Sequence, residues 1–169
     1  MLRLVNRQRR ERVPVAWLSR VARCAARRLK VAWRGELVVS FLNDRTMQRL
    51  NWRFLRHRGV TDVLTFRYSH EPLGRALRSA RHFLGRQPIG CRHSLAGKDM
   101  AGSVAGEILI APAFAKRYAR QHGLEYREEL ARYVVHGLLH WVGREDQTAA
   151  QQRRMRQLED RLLNHCGVQ

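Results

Sequence analysis

An α+β fold is what the sequence predicts: a single domain over residues 1–169, with a mixed sheet of about four strands covered by about five helices. Three observations lead there. The chain has 169 residues, a length at which one domain is the default and roughly two thirds of the unfolded surface can be buried. Its apolar residues switch between a period of two and a helical period in the order β-α-β-α-β-β-α-α-α. Finally, Pro, Gly and Asx/Thr residues stand where those periods change, as breakers and caps should.

In chain order, residues 2–5 alternate as a short first strand. Pro14 stands where a helix can begin, because its missing N–H costs nothing in a first turn. Val15, Leu18, Ala22, Ala25 and Leu29 then recur at helical spacing. Residues 36–42 (ELVVSFL) read as a strand, and Asn43 or Asp44 can cap a helix with Met47, Leu50 and Phe54 on its apolar side. Residues 61–66 (TDVLTF) and 107–111 (EILIA) are further strands. Pro112 opens a helix carrying Phe114, Ala115, Tyr118 and Ala119, and Gly123 stops it. A helix over 126–142 turns Leu130, Val134, Leu138 and Val142 inward and ends at Gly143. Thr148 with Gln151 forms a capping box for a last helix bearing Met155, Leu158 and Leu162. Residues 68–102 differ: five glycines, two prolines and three histidines with little periodicity make them a basic loop insertion, with one helical turn near 74–84.

Composition narrows the function. A hydrophobic fraction of 44% argues against intrinsic disorder, although the charge is large. No apolar run approaches the roughly 18–20 residues of a membrane span, and no secretory signal is expected. A transit peptide fits the Arg-rich start on composition alone, but the same residues read well as structure. Cys24, Cys91 and Cys166 are an odd, widely spaced set, which argues against a disulfide scaffold and for a reducing, cytoplasmic setting. The formal charge is +19, and 30 of the 33 basic residues are Arg. Guanidinium groups suit bidentate phosphate contacts and stacking on bases. Nucleic acid is therefore the leading partner class, an anionic membrane surface the second, and an ordinary solvated Arg-rich surface the bland alternative.

His136 and His140 lie four apart on a helix, so both imidazoles leave one face a turn apart. That spacing can offer two nitrogens to a tetrahedral Zn²⁺. Eight histidines in 169 residues give roughly 0.4 such pairs by chance, so spacing alone leaves structural histidines and a metal pair both open. A sharp turn at Gly143 can return Asp146, or failing it Glu145, as an oxygen ligand, leaving a fourth position for water. Gly137 occupies the position where an H-E-x-x-H protease carries its base, which disfavours that class. A mid-helix Gly costs about 1 kcal/mol against Ala, so close approach of another backbone or of substrate should explain it.

These residues also carry a resemblance. His136-Gly137-Leu138-Leu139-His140-Trp141-Val142-Gly143 resembles the H-G-x-L-H-x-x-G helix of the YbeY proteins, metal-dependent endoribonucleases of ribosomal RNA maturation. Leu50-Asn51 followed by residues 61–66, the Gly106-Glu107-Ile108-Leu109-Ile110 stretch, and Arg154-Met155 with Glu159 are similar to further segments of that family. The likeness covers about residues 36–66 and 104–163. This chain departs from the pattern in three places. Asp146 stands where the family usually has a third His, Leu55 where it usually has an Arg linked to RNA, and the 68–102 connection is longer.

The resemblance implies a single-strand-acting endoribonuclease of rRNA processing, with rRNA and a ribosomal subunit as partners. On that reading one Zn²⁺, or another divalent ion, sits on His136, His140 and Asp146 and activates water toward a phosphodiester. Arg53, Arg56, Arg58 and the N-terminal arginines hold the RNA backbone. Arg56 replaces the missing Arg of the family, and His57 is either a proton donor to the leaving oxygen or an exposed loop histidine. Asp62 is expected to order the loop–strand junction, Glu107 to back a metal-bound His from the sheet, and Trp141 to fill core. Two rivals stand beside it: a non-catalytic rRNA- or ribosome-binding assembly factor with the same fold, and a hydrolase acting on something other than RNA.

Overall fold

The structure, a computed structural model, describes residues 1–31, 35–67 and 104–168. Four strands, β1 (Leu2–Asn6), β2 (Glu36–Phe41), β3 (Val63–Arg67) and β4 (Val104–Ile110), form one sheet in the order β1-β2-β4-β3. The pairs β1–β2 and β2–β4 are parallel and β3–β4 is antiparallel, so the sheet is mixed as the sequence predicts. Five helices are seen among the described residues: α1 (Val15–Arg28), α2 (Asp44–Leu55), α3 (Pro112–His122), α4 (Tyr126–Trp141) and α5 (Ala149–His165). The insertion expected at 68–102 and Cys91 lie outside the described residues.

The pleat of β4 sorts the core. Ile108 and Ile110 join the main cluster with Leu18, Leu130, Val134 and Leu138, whereas Leu109 and Ala111 join a second cluster with Met47 and Leu64. Alternate side chains of a strand point to opposite faces. Hence α1 and α4 cover one face of the sheet and α2 the other. Helix α4 is apolar nearly all round, with Leu130, Ala131, Val134, Val135, Leu138 and Leu139 at 0% exposure, as a helix enclosed by other elements must be. It packs against α1, α3, α5, β3 and β4.

Local chemistry sets most boundaries. The Asn43 side chain accepts from the Thr46 N–H at 2.9 Å, so Asn43 rather than Asp44 caps α2. Gly123 and Gly143 end their helices with φ of +65° and +85°. Both halves of the Thr148–Gln151 capping box are formed, at 3.2 and 2.9 Å.

Two strands begin elsewhere than expected. The Asp62 carboxylate accepts from the Val63 N–H at 2.8 Å and the Thr61 hydroxyl at 3.0 Å, so the ladder of β3 starts after it. Strand β4 starts three residues earlier than expected, at Val104. Phe54, expected on the apolar side of α2, is 43% exposed, its ring 4.8 Å from that of Phe66.

The cysteine reading is corrected: Cys24 of α1 and Cys166, just past α5, form a disulfide with Cα atoms 5.8 Å apart. Their sequence separation of 142 hides this pairing from any spacing rule.

Candidate metal centre

Helix α4 carries His136 and His140 on the face toward α5 and the turn that follows it. Their Nε2 atoms lie 2.9 Å apart. At Gly143 the chain reverses: the Gly143 N–H donates to the His140 carbonyl and the Arg144 N–H to the Leu139 carbonyl, both at 2.9 Å. That reversal brings Asp146 over the histidines, its carboxylate oxygens 3.8 Å from His136 Nε2 and 3.7 Å from His140 Nε2. Four ligands at about 2.0–2.1 Å around Zn²⁺ are separated by roughly 3.3–3.4 Å. The imidazole nitrogens at 2.9 Å and the nearest Asp146 oxygens, Oδ2 toward His136 and Oδ1 toward His140, lie on either side of that value, and one ligand atom from each of the three residues is within 4.8 Å of the others, so small side-chain shifts close the donor set on one divalent ion.

The far nitrogens are tied down. His140 Nδ1–H donates to the Arg144 carbonyl at 2.9 Å, and a carbonyl only accepts, so the tautomer is fixed with the Nε2 lone pair free for a metal. His136 Nδ1–H donates to Glu159 Oε1 on α5 at 2.7 Å. Burial alone would depress the His136 pKa. The hydrogen bond to Glu159 and that carboxylate's charge, aided by the charges of Asp62 and Asp146, outweigh burial and hold it above the ordinary value. Two lone pairs facing each other at 2.9 Å, with carboxylates on both sides, favour a cation between them.

Glu159 is itself 4% exposed, and a buried carboxylate needs partners. Arg132 of α4 supplies one, its guanidinium 3.2 Å from Glu159 and 2.6 Å from Asp160, with Glu129 at 3.7 Å. The carboxylate behind His136 is thus that of Glu159, not of the Glu107 expected from the sheet. A sequence signal for it existed: Met155, Glu159 and Leu162 form one buried stripe, and an acid on such a stripe is seldom unpaired.

Gly137 also has its explanation. A Cβ there would overlap Ile108 Cγ2 and stand 3.2 Å from Val63 Cγ1. The close approach is therefore to the sheet's side chains, not to a backbone or to substrate. It seats the histidine turn of α4 on β3 and β4, where the Thr65 hydroxyl donates to the Gly137 carbonyl at 3.4 Å. Trp141, 7% exposed, lies over Gly106 and under the Arg67 guanidinium, in keeping with a core role.

With this geometry in view, comparison with known proteins is decisive at the family level. The family model described as Endoribonuclease YbeY matches residues 4–167. The chain belongs to the YbeY family. A Myxococcus xanthus protein named Endoribonuclease YbeY is 31% identical over 133 residues, covering 79% of this chain and 37% of that protein. One of the same name from Heliobacterium modesticaldum is 30% identical over 134 residues, covering 79% of this chain and 71% of that one. The chain therefore spans about a third to three quarters of the length of these YbeY relatives. The solution structure of a Thermotoga maritima protein shares the fold, with a TM-score of 0.56 at 18% identity over 98% of this chain and 89% of that one.

Within this YbeY fold the other sequence-predicted residues lie apart from the three ligands' own cluster. Arg53 is in the last turn of α2, and Arg56, His57 and Arg58 are exposed in the coil that leads to β3. Arg56 and Arg58 each hold a guanidinium 5.9 Å from the Trp52 ring. That coil ends at Asp62, whose charge acts on His136. No helix among the described residues is long and apolar enough to cross a membrane.

Proposed function

We propose that this chain is a metal-dependent endoribonuclease acting on single-stranded segments of ribosomal RNA, with residues 1–169 as one YbeY-like domain. The observation that carries the reading is the convergence of His136, His140 and Asp146, with each imidazole's second nitrogen already committed. The names of the relatives and the charge of +19 support RNA as substrate. Zn²⁺ is the ion the donor set suits best, and Fe²⁺ or Ni²⁺ accept the same ligands. When bound, such an ion supplies Lewis acidity toward water and a phosphoryl oxygen.

The chain's own residues do the rest. Glu159, held by Arg132, keeps His136 in the tautomer that presents Nε2. Arg53, Arg56 and Arg58 hold the strand's phosphates, and His57, at the exposed start of the coil, is the proton donor to the leaving oxygen. The ribosomal subunit is the expected partner and the cytoplasm the expected location, where the Cys24–Cys166 bridge would face reduction.

One observation favours a second reading, a non-catalytic rRNA-binding assembly factor. Leu55, at the position where the family resemblance expects an Arg, is 51% exposed and offers no charge. A nuclease assay on structured and unstructured RNA, with and without chelator, separates the two. Cleavage that stops with chelator and in His140→Ala supports the enzyme. Bound metal with no cleavage of any RNA supports the binding factor.

A further inference from the structure

The outer face of α2 has a character the metal centre does not explain. Between residues 43 and 61 there are five arginines and one acid, Asp44, and that acid is taken up by Arg117 at 2.5 Å. Met47 and Asn51 face the sheet, which leaves Arg45, Gln48, Arg49 and Trp52 together on the solvent side at helical spacing. Trp52 is 46% exposed. Phe54 and Leu55 beside it are exposed too, so the end of α2 presents a cluster of large apolar side chains among arginines rather than one stray ring. With Arg45, Gln48, Arg49 and Arg58, Trp52 lines an open groove of ≈ 380 Å³.

The groove is built rather than accidental. Arg56 caps α2 in the left-handed conformation, φ +58°, and Gly59 turns the chain back at φ +108°. The buried Asn51 amide donates to the Gly59 carbonyl at 3.1 Å and clamps this loop against the helix. As a result the guanidinium groups of Arg56 and Arg58 are each 5.9 Å from the Trp52 ring, at the outer limit of cation–π contact. Two stacking intervals of about 3.4 Å come to roughly 7 Å, so a flat base can enter between ring and guanidinium after a small withdrawal of the arginine. Duplex RNA hides its base faces, whereas an unpaired base offers one to an aromatic ring.

We propose that Trp52 is a stacking platform for an unpaired RNA base, with Arg45, Arg49, Arg56 and Arg58 holding the flanking phosphates. This rests on the nuclease reading for its link to the metal centre. Three residues separate Arg58 from Asp62, a span of at most about 14 Å, and the next residue, Val63, packs beside Gly137 in the histidine turn of α4. One strand can therefore lie on Trp52 and reach the histidines, which makes the platform a selector for single-stranded substrate.

The test is fluorescence anisotropy of a labelled, unstructured oligoribonucleotide of about ten residues, with chelator present so that no cleavage intervenes. Trp52→Ala should weaken binding about 5- to 100-fold, and Trp52→Phe should restore most of it. The dependence of log Kd on log salt should keep its slope in Trp52→Ala, because stacking releases no counterions, and should become shallower by about 0.7 in Arg49→Ala. A blunt RNA duplex should bind alike to wild type and Trp52→Ala. Wild-type affinity of Trp52→Ala for the single strand, or an equal loss on the duplex, overturns the platform. So does a Trp52 dependence seen only with a protein partner and with no RNA.

His140→Ala keeps the two claims apart: it should retain oligonucleotide affinity while losing cleavage. Loss of cleavage in His140→Ala beside unaltered binding in Trp52→Ala removes the platform and leaves the nuclease. Trp52-dependent binding beside chelator-resistant cleavage does the reverse.

Discussion

His136 on α4 donates through Nδ1 to Glu159 on α5, 2.7 Å away. This bond joins residues of two successive helices, 23 positions apart in sequence, and decides which nitrogen His136 can offer. Glu159→Gln keeps an acceptor but loses the charge, so zinc affinity should fall about 10- to 100-fold with the fold intact. Asp160→Asn also removes a charge from Arg132 without touching His136. It should leave zinc affinity unchanged, as measured by competition with a chromogenic chelator.

Asp146 is the ligand the turn at Gly143 provides. Asp146→Ala should cost more than the second-layer change, more than about 100-fold in zinc affinity, together with RNA cleavage. Asp146→His should recover much of the affinity, because an imidazole nitrogen binds zinc at about the same distance as a carboxylate oxygen. Isothermal titration of each variant checks both statements.

Gly137→Ala sets two effects in opposition. Helix propensity gains about 1 kcal/mol, while the new methyl overlaps Ile108 and overpacking costs about 1–3 kcal/mol. The net result should be destabilising and should move the histidine turn away from β4, lowering zinc affinity as well. The double variant with Ile108→Ala should lose less than the sum of the single losses, which urea denaturation of all four proteins measures.

Reduction of the Cys24–Cys166 bridge opens a loop of 142 residues. A loop of that size predicts a loss of about 2–5 kcal/mol of stability. The denaturation midpoint should therefore fall in reducing buffer, and Cys24→Ser should behave the same with or without reductant.

What the sequence disclosed follows from how far each interaction reaches. The Asn43 cap, the Thr148–Gln151 box and the glycines at 123 and 143 act within a few residues, so the helix ends could be read directly. The His136–His140 pair was visible because a helix turn is local, and Asp146 because a tight turn returns the chain over it. The reason for Gly137 was not legible, since it lies in Ile108, a residue of a strand well back in the chain. Glu159 could be matched to a family pattern, but its role depends on how α5 crosses α4. Trp52 read as one more helical residue until the loop clamped by Asn51 set arginines beside it.

The central claim is that His136, His140 and Asp146 enclose one divalent ion. The most direct measurement is an anomalous difference map from a zinc-soaked crystal of the full chain. The account predicts one strong peak about 2.0–2.2 Å from both Nε2 atoms and one Asp146 oxygen, with the Nδ1 atoms still bonded to Glu159 and Arg144. A peak on the Nδ1 side, or no peak between these three side chains, would contradict it.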